Sequence, residues 1–229
     1  MTIKAIGFDQ GGILIGIDHT RIIEAFKKLG ATNIEKLYTQ AEQADYISEF
    51  EVGKMDAATF RKKAKVALKG LKENITDTEI DLAWNTILLD ARHENFMFAR
   101  SLREQGYTVF LYSNINEIHH EETKRIYKRD GAAKLLNECF DEQYYSHLFG
   151  FSKPSAESFR KLALDIERKY GIKENEILFI DDSIKHIYGR EDHKDEGCLA
   201  AGWNGLLVPS NLAAKELKRL VAEELSEDF

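Results

Sequence analysis

The chain alternates between short apolar runs and longer stretches in which apolar residues recur every three or four positions. The opening run, Ile3-Lys4-Ala5-Ile6-Gly7-Phe8, is strand-like, and an apolar stretch over 13–17 continues it after Gly11-Gly12. Residues 19–89 carry no convincing strand. Helical periodicity appears there over 20–29, 33–50, 56–68 and 77–89, with Asp56 and Asp77 at N-cap positions and Ile80 and Trp84 on one apolar stripe. From 90 onward the rhythm changes. It predicts a helix over 92–105, a strand over 107–112, a helix over 116–137 and a short strand near 143–146. A helix over 155–170, strands over 177–181 and 205–208 and a helix over 211–225 follow. Gly106, Gly171 and Gly202 stand where helices must stop before strands. This order predicts an α/β protein whose parallel sheet is flanked by helices and interrupted, after its first strand, by an all-helical insert. The expected division is a core of 1–15 and 90–229 and a cap of 16–89. A cap in that place lies above the strand ends where α/β sheets bind ligands, and is a natural lid.

Composition narrows the classes. Hydrophobic content of 43% and charged content of 31% suit a soluble globular chain, and 229 residues suffice for a large core plus a smaller domain. The net charge of −7 argues against a general nucleic-acid or anionic-membrane binder, so any anionic ligand needs local cations. Cys139 and Cys198 lack CxxC spacing and read as ordinary thiols of a reducing compartment. Met1-Thr2-Ile3-Lys4 leads straight into a strand with no signal-peptide pattern, and no apolar run is long enough to span a bilayer. A cytoplasmic monomer or homodimer is expected.

Three strand-like runs end on chemistry. The first ends at Asp9-Gln10-Gly11-Gly12, YTVFLY ends at Ser113-Asn114, and EILFI ends at Asp181-Asp182-Ser183. Glycines after Asp9 let the backbone turn sharply and bring N–H groups near an anion. A carboxylate there is a candidate nucleophile toward phosphorus, or a cap of its own turn. Adjacent acids at a strand end repel unless a cation relieves them, and with Asp9 they offer the oxygens Mg²⁺ prefers. Ser113-Asn114 suits phosphate oxygens or a helix cap. Lys153, before Pro154, can neutralise a nucleophile and a phosphate together. His119-His120-Glu121-Glu122 is not HExxH, and there is no GxGxxG, so neither a zinc protease nor a nicotinamide enzyme is indicated.

In this order and spacing the four segments resemble the haloacid dehalogenase-like (HAD) hydrolase superfamily, from Ile3 to Val208. Asp9 falls in its first motif, Ser113-Asn114 in the second, Lys153-Pro154 in the third and Asp181-Asp182 in the fourth. Phe50-Glu51-Val52-Gly53-Lys54, Leu102-Arg103-Glu104-Gln105-Gly106-Tyr107 and Ser113-Asn114-Ile115-Asn116 resemble the helical-cap branch that includes bacterial α-D-glucose-1-phosphate phosphatase. The resemblance implies a Rossmann-like core and a Mg²⁺-dependent phosphatase of a small phosphorylated metabolite such as a sugar phosphate. Asp9 would be the nucleophile. Asp9, the Gly11 carbonyl and Asp182 would hold Mg²⁺, with Asp181 assisting directly or through water. Gln10, Gly11, Ser113, Asn114 and Lys153 would hold the phosphoryl group, and Lys153 would also orient Asp9. Arg21, Tyr46, Glu51, Lys54 and Trp84 are cap candidates for reading the leaving group.

Three departures stand out. Where the superfamily's phosphatases carry a second aspartate, two residues after the nucleophile, this chain has Gly11, so the usual general acid–base is absent. Gln10, Asp18 and His19 are the nearby substitutes. His186 replaces the usual Asp or Asn four residues after the fourth-motif acid. The charged stretch 188–196 is longer than in relatives and reads as a solvated excursion. A 2-haloacid dehalogenase, which also lacks the second aspartate, and a non-catalytic phospholigand binder are the alternatives.

Overall fold

The computed structural model describes residues 2–35 and 45–226. The middle of the predicted helix 33–50 lies outside the described residues. Five strands, β1 (Ala5–Phe8), β4 (Thr108–Ser113), β5 (Glu142–Tyr145), β6 (Ile177–Asp181) and β7 (Asn204–Leu207), form one sheet in the order β5-β4-β1-β6-β7. Every pairing is parallel, with Phe8 opposite Leu111 and Ile180. The strands are apolar on both sides because helices cover both faces. Period-two alternation sends Ile6, Phe8, Val109, Leu111, Leu178 and Ile180 to one face. There they meet α5 (His93–Glu104), α6 (Glu117–Arg129) and α11 (Ala214–Ser226). Ala5, Phe110, Tyr112, Ile177 and Phe179 face the other side, against α9 (Ala156–Tyr170) and Trp203. Gly7 lies between two rings on this second face: a Cβ there would sit 2.4 Å from Phe110 and 2.9 Å from Phe179.

Between β1 and β4 the chain makes a second unit. Strand β2 (Ile15–Ile17) pairs antiparallel with β3 (Leu88–Ala91). The cap helices α1 (His19–Lys28), α2 (Asp45–Glu51), α3 (Ala57–Ala67) and α4 (Asp77–Asn85) lie between these two strands in sequence. They bury their own cluster, with Phe50 stacked on Phe60 at 4.4 Å and Phe60 against Trp84 at 4.9 Å. An Arg61–Asp81 fork ties α3 to α4, both bonds 2.8 Å. This cap is not separate from the core. Ile118 of α6 joins its cluster, the Ser146 hydroxyl donates to Glu51 O at 2.6 Å, and His119 Nε2–H donates to Trp84 O at 3.0 Å.

Local signals placed most ends correctly. Asp56 caps α3 by accepting from Thr59 N, and Asn116 caps α6 by accepting from His119 N. Gly171 takes the left-handed conformation, φ +69°, that ends α9. The cap before Asp77 is Thr76, which forms a capping box with Glu79. Helix 77–89 stops at Asn85, because 88–91 pair with 15–17 instead. Helix 116–137 is two helices, α6 and α7 (Ala133–Cys139), broken at Gly131 with φ +75°. Two short helices, α8 (Ser146–Phe149) and α10 (Ile184–Tyr188), and 3-10 turns at Glu174–Glu176 and Leu199–Ala201 complete the described elements. No helix among the described residues is long and apolar enough to cross a membrane.

Candidate active site

Parallel pairing brings the carboxyl ends of β1, β4 and β6 side by side, so Asp9, Ser113 and Asp181 meet although distant in sequence. The turn after Asp9 is tight. Gly12 N donates to Ile15 O at 2.8 Å, while Leu14 N and Ile15 N both donate to Gln10 O. Gly12 has φ +70°, and a Cβ on it would lie 2.2 Å from Asp182 Oδ2. Only glycine lets the loop after Asp9 and the Asp182 carboxylate approach this closely.

Lys153 is the hub. Its side chain is wholly buried, and Nζ donates to Asp9 Oδ1 at 2.7 Å, Asp181 Oδ2 at 2.6 Å and Tyr112 O at 3.2 Å. All three ammonium protons thus have acceptors. Burial alone would lower its pKa, but Asp181 and Asp9 reverse this and raise it above the ordinary lysine value. Asn114 fixes the segment: its Nδ2 donates to Lys153 O at 2.7 Å and its Oδ1 accepts from Lys153 N at 2.9 Å. Its amide thus holds the Lys153 backbone by both its N–H and its carbonyl.

The two acids of β6 differ. Asp181 is fully buried and its oxygens are taken. Oδ1 accepts from Ser183 N at 2.8 Å and from His186 Nδ1 at 2.9 Å, and Oδ2 accepts from Lys153. Burial acts to raise its carboxyl, but His186 and Lys153 overcome this and hold it well below the usual range. Burial lowers His186 against the pull of Asp181, and since a carboxylate oxygen accepts, the His186 Nδ1–H is the donor to Asp181. Asp182 is half-buried, and burial, together with Asp181, pushes its carboxyl up against a hydrogen bond from Ser210. Burial also pushes Asp9 up; Lys153 opposes this, and Asp181 and Asp182 add to it. Asp9, Asp181 and Asp182 each offer an oxygen within 4.8 Å of the others. One ammonium among three carboxylates leaves negative charge uncompensated. That all-oxygen set fits a hard divalent cation of the magnesium type.

These residues open onto a cavity of about 730 Å³. Asp9, Gln10, Gly11, Ser113, Asn114 and Asp182 line it, while Lys153 and Asp181 lie buried behind Asp9. Gln10 is turned inward, its Nε2 donating to Tyr127 OH at 3.0 Å. Of the cap candidates, Glu51 and Trp84 reach the wall. Tyr46 packs against Phe60 in the cap interior, and Arg21 and Lys54 are not on the wall. Ile47, Ile87, Leu88, His119, Thr123 and Lys185 are lining residues that periodicity did not single out. His119 carried a signal, its position three residues after the cap Asn116, but it was read only as part of a failed zinc motif. The stretch 188–196 is no free excursion. Arg190 pairs with Glu196, Ser155 bridges to Glu196, and Gly197 N donates to Pro154 O at 2.7 Å, so it braces the segment after Lys153.

A parallel sheet whose strand ends gather a buried lysine–carboxylate pair and an acidic oxygen set, beneath a helical cap, defines a capped α/β enzyme. The chain belongs to the haloacid dehalogenase-like hydrolase family, whose model matches residues 3–189. D-ribitol-5-phosphate phosphatase of Bacteroides thetaiotaomicron is 30% identical over 191 residues, 82% of this chain and 88% of that protein. A HAD family enzyme of the same organism has been solved as an aspartate-to-alanine variant in complex with magnesium and inorganic phosphate. It matches with a TM-score of 0.79 at 28% identity, over 95% of this chain and 99% of that one. A HAD-like family hydrolase of Porphyromonas gingivalis matches with a TM-score of 0.76 at 24% identity, over 96% and 98% of the two chains, which speaks for the fold alone.

Proposed function

We propose that this hydrolase is a magnesium-dependent phosphatase that releases phosphate from a small phosphorylated metabolite of the sugar- or polyol-phosphate class. The observation that carries the proposal is the Lys153 bridge between Asp9 and Asp181, with Asp182 beside it. A carboxylate at the cavity wall, held by a buried ammonium, is aimed as a nucleophile. Asp9 attacks phosphorus, the ester bond breaks, and the resulting aspartyl-phosphate is hydrolysed by water. Asp9, Asp182 and the Gly11 carbonyl would hold the cation, which when bound supplies positive charge to the phosphoryl oxygens. Asp181, its oxygens already engaged, serves as counter-ion to Lys153. The Ser113 hydroxyl, the Asn114 backbone and the N–H groups of Gln10 and Gly11 would receive the phosphoryl oxygens. The segment 16–89 acts as the cap that excludes bulk water and reads the leaving group.

The ribitol-phosphate relative and the magnesium–phosphate complex of a homologue support this choice. So does the uncompensated acid set, which a metal-free dehalogenase has no use for. Phosphate release from a panel of phosphorylated sugars and polyols, with Mg²⁺ or EDTA, tests it in wild type and Asp9→Asn. Release that needs both Mg²⁺ and Asp9 is expected. Release that persists in Asp9→Asn overturns the site assignment.

A further inference from the structure

Two stalks join the cap to the core. Strand β2 leads from the loop after Asp9 into α1, and β3 leads from α4 back to α5. The turn that follows β7, over 208–212, meets both. The Asn211 side chain takes both backbone groups of Ile17, at the cap end of β2, as a residue of a neighbouring strand would. Its Oδ1 accepts from Ile17 N at 3.1 Å and its Nδ2 donates to Ile17 O at 3.0 Å. Arg92, directly after β3, donates from one guanidinium nitrogen to Asn211 O at 2.8 Å and to Leu212 O at 2.5 Å. Arg92 N donates to Leu14 O at 2.9 Å, which links the two stalks to each other.

The same turn holds the chemistry. Asn211 N donates to Gly12 O at 2.8 Å, in the loop after Asp9, and Val208 N donates to Asp181 O at 3.0 Å. The Ser210 hydroxyl hydrogen-bonds Asp182. Ile17, Val208, Pro209 and Ser210 all stand on the cavity wall.

Asn211 occupies this place at a backbone cost. Alone among the described non-glycine residues it has a positive φ, +59°. The left-handed region disfavours a side chain, and an asparagine found there commonly bonds within its own turn. This one commits both amide atoms to a residue 194 positions away. A turn that needed only the backbone shape would be served by glycine, which adopts it freely. The amide adds a donor and an acceptor side by side, which glycine lacks.

We propose that Asn211 is a positioning residue that pins the first cap stalk at Ile17, and so sets the cap in register with the nucleophile loop and Asp182. Its effect on turnover rests on the phosphatase reading above. With the pin in place, the cap closes about a stalk whose end is fixed against Gly12, so the cap residues that read the leaving group meet it where Asp9 attacks. Without the pin, the stalk takes other positions. The fraction of molecules with a productively placed cap falls, and apparent affinity falls with it. The phosphoryl site itself is untouched.

Asn211→Gly tests the pin, because glycine keeps the backbone conformation and the N–H to Gly12 O while removing the clasp. KM and kcat would be measured on ribitol 5-phosphate, whose polyol leaving group extends toward the cap, and on acetyl phosphate, whose leaving group is too short to do so. KM for ribitol 5-phosphate should rise about 5–30-fold, the range set by two hydrogen bonds at a solvent-facing edge. Acetyl phosphate should change far less. Amide exchange followed by NMR should show the Ile17 amide losing protection in Asn211→Gly while the amide at position 211 keeps it. Arg92→Met, which unties the second stalk and leaves Asn211 in place, should give the same split between substrates, and it carries the comparison if Asn211→Gly fails to fold. Equal losses on both substrates, an unchanged KM for ribitol 5-phosphate, or an Ile17 amide that exchanges no faster would overturn the proposal. A wild type that releases phosphate from neither substrate would instead defeat the phosphatase reading, and the Ile17 amide would still decide the pin.

Discussion

At the scale of single residues, the site depends on one cation shared between carboxylates. Lys153 is wholly buried and answers to Asp9 and Asp181 at once, while Asp182 takes a hydrogen bond from the Ser210 hydroxyl. Removing one member of a buried ion pair typically costs about 3–5 kcal/mol, because the remaining charge is stranded in a low-dielectric interior. Lys153→Met should lose about that much stability in urea denaturation at neutral pH without metal. A loss below about 1 kcal/mol would show that water reaches the pair, as at an exposed bridge. The resemblance paired Lys153 with Asp9 but did not give Asp181 as its second partner. Its segment, pinned by Asn114, and its counter-ion, fixed by His186, depend on contacts 39 and 28 residues away. No local signal encodes such contacts.

At the scale of elements, the cap rests on the core through a few bonds at helix ends. His119, on α6, stacks on Trp84 of α4 at 5.2 Å and donates to its carbonyl. Burial lowers the His119 pKa from 6.5 to about 4. Its neutral form is thus the one the fold selects, and the unfolded chain binds the extra proton between those values. The sign follows: this contribution is complete above pH 6.5 and is lost as pH falls toward about 4. Melting temperature followed across that window should fall more steeply in wild type than in His119→Gln. Parallel profiles would mean that His119 is not held neutral by the cap–core contact. The β2–β3 ribbon at the base of the cap was not visible as a pair. Residues 88 and 89 continue the helical period of 77–89, and only the partner at 15–17 draws 88–91 into a strand.

At the scale of the molecule, the chain carries a charge of −7 and still assembles a site for an anion. The proposed cation reconciles the two, since it binds the folded arrangement of Asp9 and Asp182 and not the dispersed chain. Mg²⁺ at about a hundredfold its Kd should add about 2.7 kcal/mol, and a chain of this size gains about 2–4 °C in Tm per kcal/mol. Calorimetry with Mg²⁺ and EDTA should show that rise in wild type and most of it missing in Asp182→Asn. An undiminished rise in that variant would place the cation elsewhere.

Sequence alone determined the order of the core strands and of its longer helices, the helical character of the cap, the N-cap at Asp56, and the strand ends that carry Asp9, Ser113 and Asp181. These are properties of neighbours within about one helical turn or one strand, which periodicity and capping record. Tertiary structure alone decided that Lys153 bridges two acids, that Asn114 serves the lysine and that 188–196 braces its segment. The reason is geometric. Each of these depends on strand order and on the path of long connections, which bring together side chains whose separation along the chain carries no local trace.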